Sequence, residues 1–482
     1  MKRYCSATLA LASRFVVSAF LGTGCSVNPA TGKRQLSLIP ESQEIAMGKQ
    51  YDQQASGSMG LYDDPELTAY VADLGKELAA TSERPGLPWT FRVVDDPTVN
   101  AFALPGGYIY VTRGILAHLE SEAELAGVVG HEIGHVTARH SVNQISKQQL
   151  AGLATAGAMI AKPELQQFGG LAETGLGLMF LKFGRDDERQ SDDLGLRYVQ
   201  RANYDPRPMA EVMEMLQSVS AAAGSGRVPG WMSTHPAPVN RRQRILDQVA
   251  GSPSGGTVNR DRHLNAIDGM VFGLDPREGY FKDNRFLHPD LRFRFDLPGG
   301  WAQINQKTVA GAMAPDRDGV IQLTMAQGGS PAEADRTFYE QEGIDGGAGS
   351  DARINGLPAV TRPFTVTAQQ GSLRGVTAFV SYGGNIYRLL AYSVADSFTG
   401  YEPVMTRSVR SFAELTDSRV LGVKPKRLKV VTLSRSRTPR EMVEAYDATV
   451  PAETLALINQ AGVDEKLASG RRVKVVTGGE LP

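Results

Sequence analysis

The sequence predicts an α+β protein in three parts: a mainly helical domain with a small sheet, an antiparallel-sheet α+β domain, and a small βααβ module. Three observations predict it. Between Pro40 and Val249 apolar residues recur mostly at helical spacing, interrupted by one strand–turn–strand signal. Past residue 260, strand-like runs punctuated by Gly and Pro turns take over. From Lys424 the order is strand, helix, helix, strand. The chain has 482 residues, enough for several cores, and 41% of them are hydrophobic, as in globular proteins. Its formal net charge of −1 excludes bulk attraction to nucleic acid or anionic lipid.

The first residues read as an address, not as fold. Lys2 and Arg3 precede a mostly apolar run, Leu9 to Leu21, and the small residues Gly22, Thr23 and Gly24 lead to Cys25. This predicts a signal peptide over residues 1–24. A cysteine directly after small residues resembles a bacterial lipobox, in which that cysteine is lipidated, although Gly22 stands where the pattern prefers Leu. Residues 25–40 are then a tether anchored by lipid at Cys25. Ser26 is not the Asp that resembles an inner-membrane retention signal, so the expected address is the periplasm, at the outer membrane. Cys5 and Cys25 are the only cysteines, so the mature protein is expected to have no internal disulfide. No other stretch offers the roughly 18 uninterrupted apolar residues of a spanning helix. The membrane is met through the lipid alone.

Residues 41–255 are expected to form one domain. A helix begins at Pro40-Glu41 and runs to about Ala55. Asp64 is a candidate N-cap with Pro65 at the first helical position, and Leu67, Val71, Leu74 and Leu78 lie on one stripe. Trp89 to Asp95 reads as a strand, and Asn100 to Thr112 as strand, Pro-Gly-Gly turn, strand. Ser141 to Gly184 reads as two helices broken at Lys162-Pro163. Helices follow over Asp186–Arg201 and Pro208–Ala223, then a loop over Gly224–Pro238 and a basic helix over Val239–Val249. Ala250 to Thr257 has linker composition.

Within this domain Leu125 to His140, LAGVVGHEIGHVTARH, carries H-E-x-x-H as His131, Glu132 and His135. On a helix, residues i and i+4 share a face, so both imidazoles can aim at one Zn²⁺ while Glu132 holds a water. Two histidines on a helix can also be merely packed. The apolar flanks argue against it, because a buried His-Glu-His face without a metal carries a heavy desolvation penalty. A third ligand is needed. No histidine follows His135 in H-x-x-G-x-x-H order, which points to a carboxylate. In the acidic run Asp186–Asp193, Glu188 and Asp192 are four apart: Glu188 could bind metal while Asp192, one turn on, accepts from a ligand imidazole. An acidic helix start is favoured in any case, and spacing leaves both readings open.

HEIGH, ERQSDDLG, NAFALPGG and a late His-Pro followed by Arg together resemble the HtpX/BepA/LoiP-type zinc metallopeptidases, relatives of the CAAX prenyl protease, over about residues 26–250. The resemblance implies a gluzincin site with one Zn²⁺. His131, His135 and Glu188 are its ligands, Glu132 is the general base, and Asp192 matches the Asp of E-x-x-x-D. Ser191 stands where relatives usually have Ala. His235 matches the His of His-Pro, which closes the fourth zinc position in a latent state or stabilises the oxyanion. Arg241 matches an arginine that helps to bind substrate or transition state. Asn100, Ala101, Phe102 and Ala103 fall on the substrate-binding edge strand, whose free backbone groups suit an extended peptide.

Residues 260–418 form the α+β domain, with strands near Leu291–Leu297, Val320–Met325, Ala359–Gln369, Gly375–Tyr382 and Asn385–Ser393. Helices are expected over Pro331–Glu342 and Tyr401–Phe412. No catalytic constellation stands out there, and His263 and His288 read as structural. Residues 424–482 loosely resemble a LysM peptidoglycan-binding module, with Ser436-Arg437-Thr438 in place of its Gly-Asp-Thr. The reading as a whole is a zinc metalloendopeptidase of the bacterial envelope that hydrolyses misfolded or misassembled envelope polypeptides, with peptidoglycan as a second partner. The alternative is a largely latent binding or chaperone-like protein docked on cell wall or an assembly machine.

Overall fold

The computed structural model describes residues 25–159, 182–222, 230–235, 240–251, 255–368, 371–479 and 481. The expected signal peptide and the helix break at Lys162-Pro163 lie outside them. The chain forms two compact units. One takes the chain up to Phe272 and returns for Leu428–Thr477; the other is Gly273–Arg427 with the residues from Gly478.

The first unit opens on a two-stranded ribbon, β1 (Cys25–Val27) and β2 (Arg34–Leu36), followed by α1 (Glu41–Met59) and α2 (Pro65–Ala80). Asp64 caps α2 by accepting from the Leu67 N–H at 3.0 Å. A three-stranded sheet has the order β3 (Thr90–Val94), β5 (Tyr108–Thr112), β4 (Ala101–Leu104). β4 and β5 are the expected hairpin. Gly106 and Gly107 at its turn have φ of 80° and 102°, backbone that side chains disfavour. β4 is therefore a sheet edge, as the sequence implied.

The helices that follow are α3 (Arg113–His118), α4 (Glu122–Thr137), α5 (His140–Met159), α6 (Arg185–Arg201), α7 (Pro208–Ala222), α8 (Gly230–Thr234), α9 (Arg241–Val249) and α10 (Arg260–Ile267). The reading of 224–238 as loop missed α8, which is only five residues long. α4 carries the H-E-x-x-H motif and is buried along its whole length. The Ser121 side chain caps it, accepting from the Glu124 N–H.

What places the acidic helix α6 against α4 is a seam of small residues. A Cβ on Gly195 would stand 2.8 Å from the His131 backbone nitrogen, and one on Gly134 would stand 3.0 Å from the Ser191 backbone. The backbones approach so closely that only Gly fits at both positions. Ser191, fully buried opposite Gly134, is small enough for this approach.

Two boundaries differ from expectation. The segment with linker composition is stitched into the fold: Thr257 donates its N–H to Asn203 and accepts from Asp205, and Ala123 donates to Val258. The unit then continues through α10. Its fully buried His263 meets the Tyr70 hydroxyl and the Leu116 carbonyl, and burial lowers its pKa to about 4.

The terminal module has the expected order, with strands Arg427–Thr432 and Arg472–Thr477 flanking helices Pro439–Ala445 and Ala452–Ile458. It belongs to the first unit rather than standing alone. Lys474, wholly buried, donates to the Leu119 carbonyl at 2.7 Å, and Gln460 donates to Glu124 on α4 at 2.8 Å. The module thus grips the N-terminal end of the motif helix. Composition could not show this, because the gripping side chains are ordinary polar ones.

In the second unit an antiparallel sheet is built on the long hairpin Leu357–Ala368/Gly371–Tyr382 and the strands Asn385–Val394 and Gly319–Ala326. Helix Ala395–Val409 packs on one face with Ala378 and Val380. Helix Pro331–Tyr339 packs with Phe379 on the other.

Candidate metal centre

His131 and His135 leave one face of α4 with their Nε2 atoms 3.1 Å apart. Glu188, in the first turn of α6, brings Oε1 to 3.4 Å and Oε2 to 3.6 Å from these two nitrogens. His235 follows α8 and sets Nδ1 2.9 Å from Glu188 Oε1 and 3.4 Å from His131 Nε2. One ligand atom from each of the four residues lies within 4.8 Å of all the others, and all four residues are buried. The α4–α6 seam sets this geometry.

The donor set fits a metal ion. Three imidazole nitrogens and a carboxylate converge on one point, as in four-coordinate zinc sites. Burial holds His135 well below the ordinary imidazole range, so it is a neutral lone-pair donor. Burial would raise the Glu188 carboxyl, yet the facing His235, with His135 and His131, keeps it well below its usual range. Glu132 is 0% exposed, and neither of its carboxylate oxygens has a hydrogen-bond partner among the described residues. Its Oε1 lies 3.6 Å from His235 Nε2. Burial raises its pKa. A buried carboxylate without hydrogen bonds is costly unless something else occupies the space beside it.

Behind the cluster lies Asp192. It accepts from His131 Nδ1 at 3.0 Å and receives the Arg241 guanidinium through Nη2 at 2.6 Å and Nε at 2.9 Å. Arg241 also reaches Glu188 Oε2 with Nη1 at 3.0 Å. Arg241, from the start of α9, therefore stands against this chain's own carboxylates. The β4 edge lies nearby: the Trp231 N–H of α8 donates to the Val99 carbonyl at 3.2 Å, just before Asn100. Thr112 donates its N–H to Asn100, and that alternation turns the backbone groups of Ala101 and Ala103 away from β5, with Ala101 buried and Ala103 half-buried. Phe102 faces inward, stacked on Tyr110 at 4.7 Å.

Peptidase family M48 matches residues 65–249. This domain belongs to that family. Over 223 residues the chain is 33% identical to the beta-barrel assembly-enhancing protease of Escherichia coli (strain K12), covering 44% of this chain and 45% of the relative. The protein of the same name from Yersinia pestis is 32% identical over 272 residues, 55% of this chain and 54% of the relative. The mitochondrial metalloendopeptidase OMA1 of Arabidopsis thaliana is 38% identical over 178 residues, 36% and 34% of the two chains. The chain thus spans about half the length of the curated relatives it matches, or less.

The M48 domain brings every sequence-predicted metal candidate into one cluster, with Asp192 and Arg241 directly behind it. Sequence reasoning missed three neighbours. Trp231 stacks on His235 at 4.4 Å with ring planes 24° apart. Phe183 lies 4.1 Å from His135, centroid to centroid. His140 touches the rear of His135. Trp231 stands one helical turn before His235, a signal that was readable once α8 was recognised. Phe183 and His140 had none in spacing.

Proposed function

We propose that this protein is a zinc-dependent endopeptidase of the bacterial envelope, with one Zn²⁺ held by His131, His135 and Glu188. The observation that carries the reading is the convergence of His131, His135, Glu188 and His235 beside the Glu132 carboxylate, which has no hydrogen-bond partner among the described residues. Zinc bound there would polarise a scissile carbonyl and acidify a water. Glu132 takes the proton of the attacking water and passes it to the leaving amine; its raised pKa brings it nearer the working pH. Asp192 fixes the His131 ring, and Arg241 keeps Asp192 charged while reaching Glu188. His235 is the fourth donor of a resting state. Once displaced, it can donate to the developing oxyanion. An extended substrate pairs with Ala101 and Ala103 at the edge of β4, beside Asn100, while Phe102 holds the strand in place. Backbone pairing of this kind suits unfolded chains with little side-chain selection.

The substrate class, misfolded or misassembled envelope polypeptides, is supported by the name of the Escherichia coli and Yersinia pestis relatives. The lipid anchor at Cys25 rests on the small residues before it. Among the described residues no helix is long and apolar enough to cross a membrane. The mass of the mature N-terminal peptide checks the anchor: a diacylated or triacylated Cys25 is expected, and an unmodified end beyond it would sink the claim.

Cleavage of an unfolded, alkylated protein tests the function. A chelator is expected to stop it, and about one equivalent of Zn²⁺ per chain to restore it where Mg²⁺ does not. Cleavage that survives complete metal removal would overturn the reading, and the binding or chaperone-like alternative would gain if zinc-loaded protein bound the substrate without cutting it.

A further inference from the structure

We propose that His140 and Gln190 set the tautomer and orientation of His135, which makes His140 a positioning residue of the metal centre. The proposal rests on the zinc reading above. His135 turns Nε2 toward the other ligand atoms and Nδ1 away from them. That Nδ1 meets the Nδ1 of His140 at 3.0 Å. Two lone pairs cannot face each other at this distance, nor can two N–H groups, so one nitrogen donates and the other accepts.

The far side of His140 decides which. Its Nε2 lies 2.7 Å from Gln190 Oε1, a carbonyl oxygen that can only accept. The proton of neutral His140 is therefore on Nε2, and its lone pair is on Nδ1. His135 Nδ1–H donates to that lone pair, which leaves the lone pair of His135 on Nε2, the atom facing the cluster. The Ser191 hydroxyl lies 3.3 Å from the same His140 nitrogen and, able to donate or accept, fits either tautomer. His131 is oriented directly by the anionic Asp192, and His135 through His140, whose Nε2 meets Gln190 and, at 3.7 Å, the partly exposed Asp187 carboxylate. The two ligand imidazoles are fixed without a second buried carboxylate beside Glu188.

The backbone is arranged for this contact. Five residues along a continuous helix, His140 would point away from His135. Instead α4 stops at Thr137, and Arg139 adopts a φ of 59°. Its side chain donates to Glu44 at 2.9 Å and to the Ile39 carbonyl at 2.6 Å. The reversal carries His140, 3% exposed, back against His135, with ring centroids 5.0 Å apart at 76°.

The test compares zinc affinity, by competition with a chromophoric chelator, in the full chain and in His140→Leu and His140→Asn. Leu removes the acceptor. Asn can set its Oδ1 where Nδ1 stood. His140→Leu is expected to weaken zinc binding roughly 10- to 100-fold, and His140→Asn to recover most of that loss. The absorption bands of the Co²⁺-substituted protein should shift in the Leu variant and return in the Asn variant. If the Leu variant does not fold, Gln190→Leu and Gln190→Glu carry the same contrast, because Glu keeps an acceptor for His140 Nε2–H and Leu does not. Equal affinities in all variants would overturn the relay while leaving the zinc reading intact. An Asn variant as weak as Leu would reduce His140 to packing, which also overturns the proposal. Wild-type protein that binds no zinc would overturn both.

Discussion

Replacing Glu132 by Gln is expected to abolish cleavage while zinc stays bound. The substitution is nearly isosteric at a position that is 0% exposed and hemmed in by α4, α6 and α8, so it removes the base and little else. An amide cannot accept a proton, and loss of a positioned general base typically slows a reaction by roughly 10²- to 10⁴-fold. His131, His135, Glu188 and His235 all remain, so zinc stoichiometry should not change. Stability moves the other way. A carboxyl whose pKa is raised by folding loses stability as pH climbs from its unfolded value toward its folded one. The amide has no such loss. In the metal-free protein Glu132→Gln should therefore unfold at higher denaturant than wild type near neutral pH, with the difference fading under acidic conditions. Undiminished turnover by this variant would remove Glu132 from the chemistry. Lost zinc would make it a ligand instead.

That trade of stability for chemistry shows what a sequence can and cannot display. The i, i+4 spacing in HEIGH declares the pair of imidazoles, because both ride one helix. Spacing left Glu188 open between a metal ligand and part of an ordinary acidic helix start, since its place depends on how α6 crosses α4. The glycines and Ser191 that make the crossing close are ordinary small residues until the two helices are seen together. His140 was hidden for a related reason: helical spacing puts it on the wrong face, and one left-handed residue, Arg139, puts it back. The terminal module was legible as strand–helix–helix–strand. Its grip on α4 was not, because a buried lysine such as Lys474 looks in sequence like any surface lysine. Local patterns report on local faces, and contacts set by a crossing angle or a chain reversal leave no period to read.

Arg241→Met should produce the largest loss of stability of any single substitution at the site, and the loss should depend on metal. Arg241 is 4% exposed, and its guanidinium spans Asp192 and Glu188. Burial would raise the Asp192 carboxyl. Arg241 foremost, with His131, instead holds it below its usual range. Removing the cation takes the forked partner from Asp192, which keeps His131 and, at 3.9 Å, Arg244, and one contact from Glu188; breaking a buried pair in this way costs about 3–5 kcal/mol. The metal-free variant should lose denaturant midpoint accordingly. Zinc, bound by Glu188, restores one of the missing charges, so the zinc-loaded variant should lose less. Arg241→Lys should recover only part, because an ammonium cannot reproduce the fork that engages two Asp192 oxygens while reaching Glu188. Adding Asp192→Asn to Arg241→Met removes the charge that lost its fork and should offset part of the destabilisation, a coupling that a double-mutant cycle measures directly. Equal losses in metal-free and zinc-loaded protein would show that Arg241 acts through packing and not through the charge balance of the centre. A loss below about 1 kcal/mol in both would remove it from the stability of the site altogether.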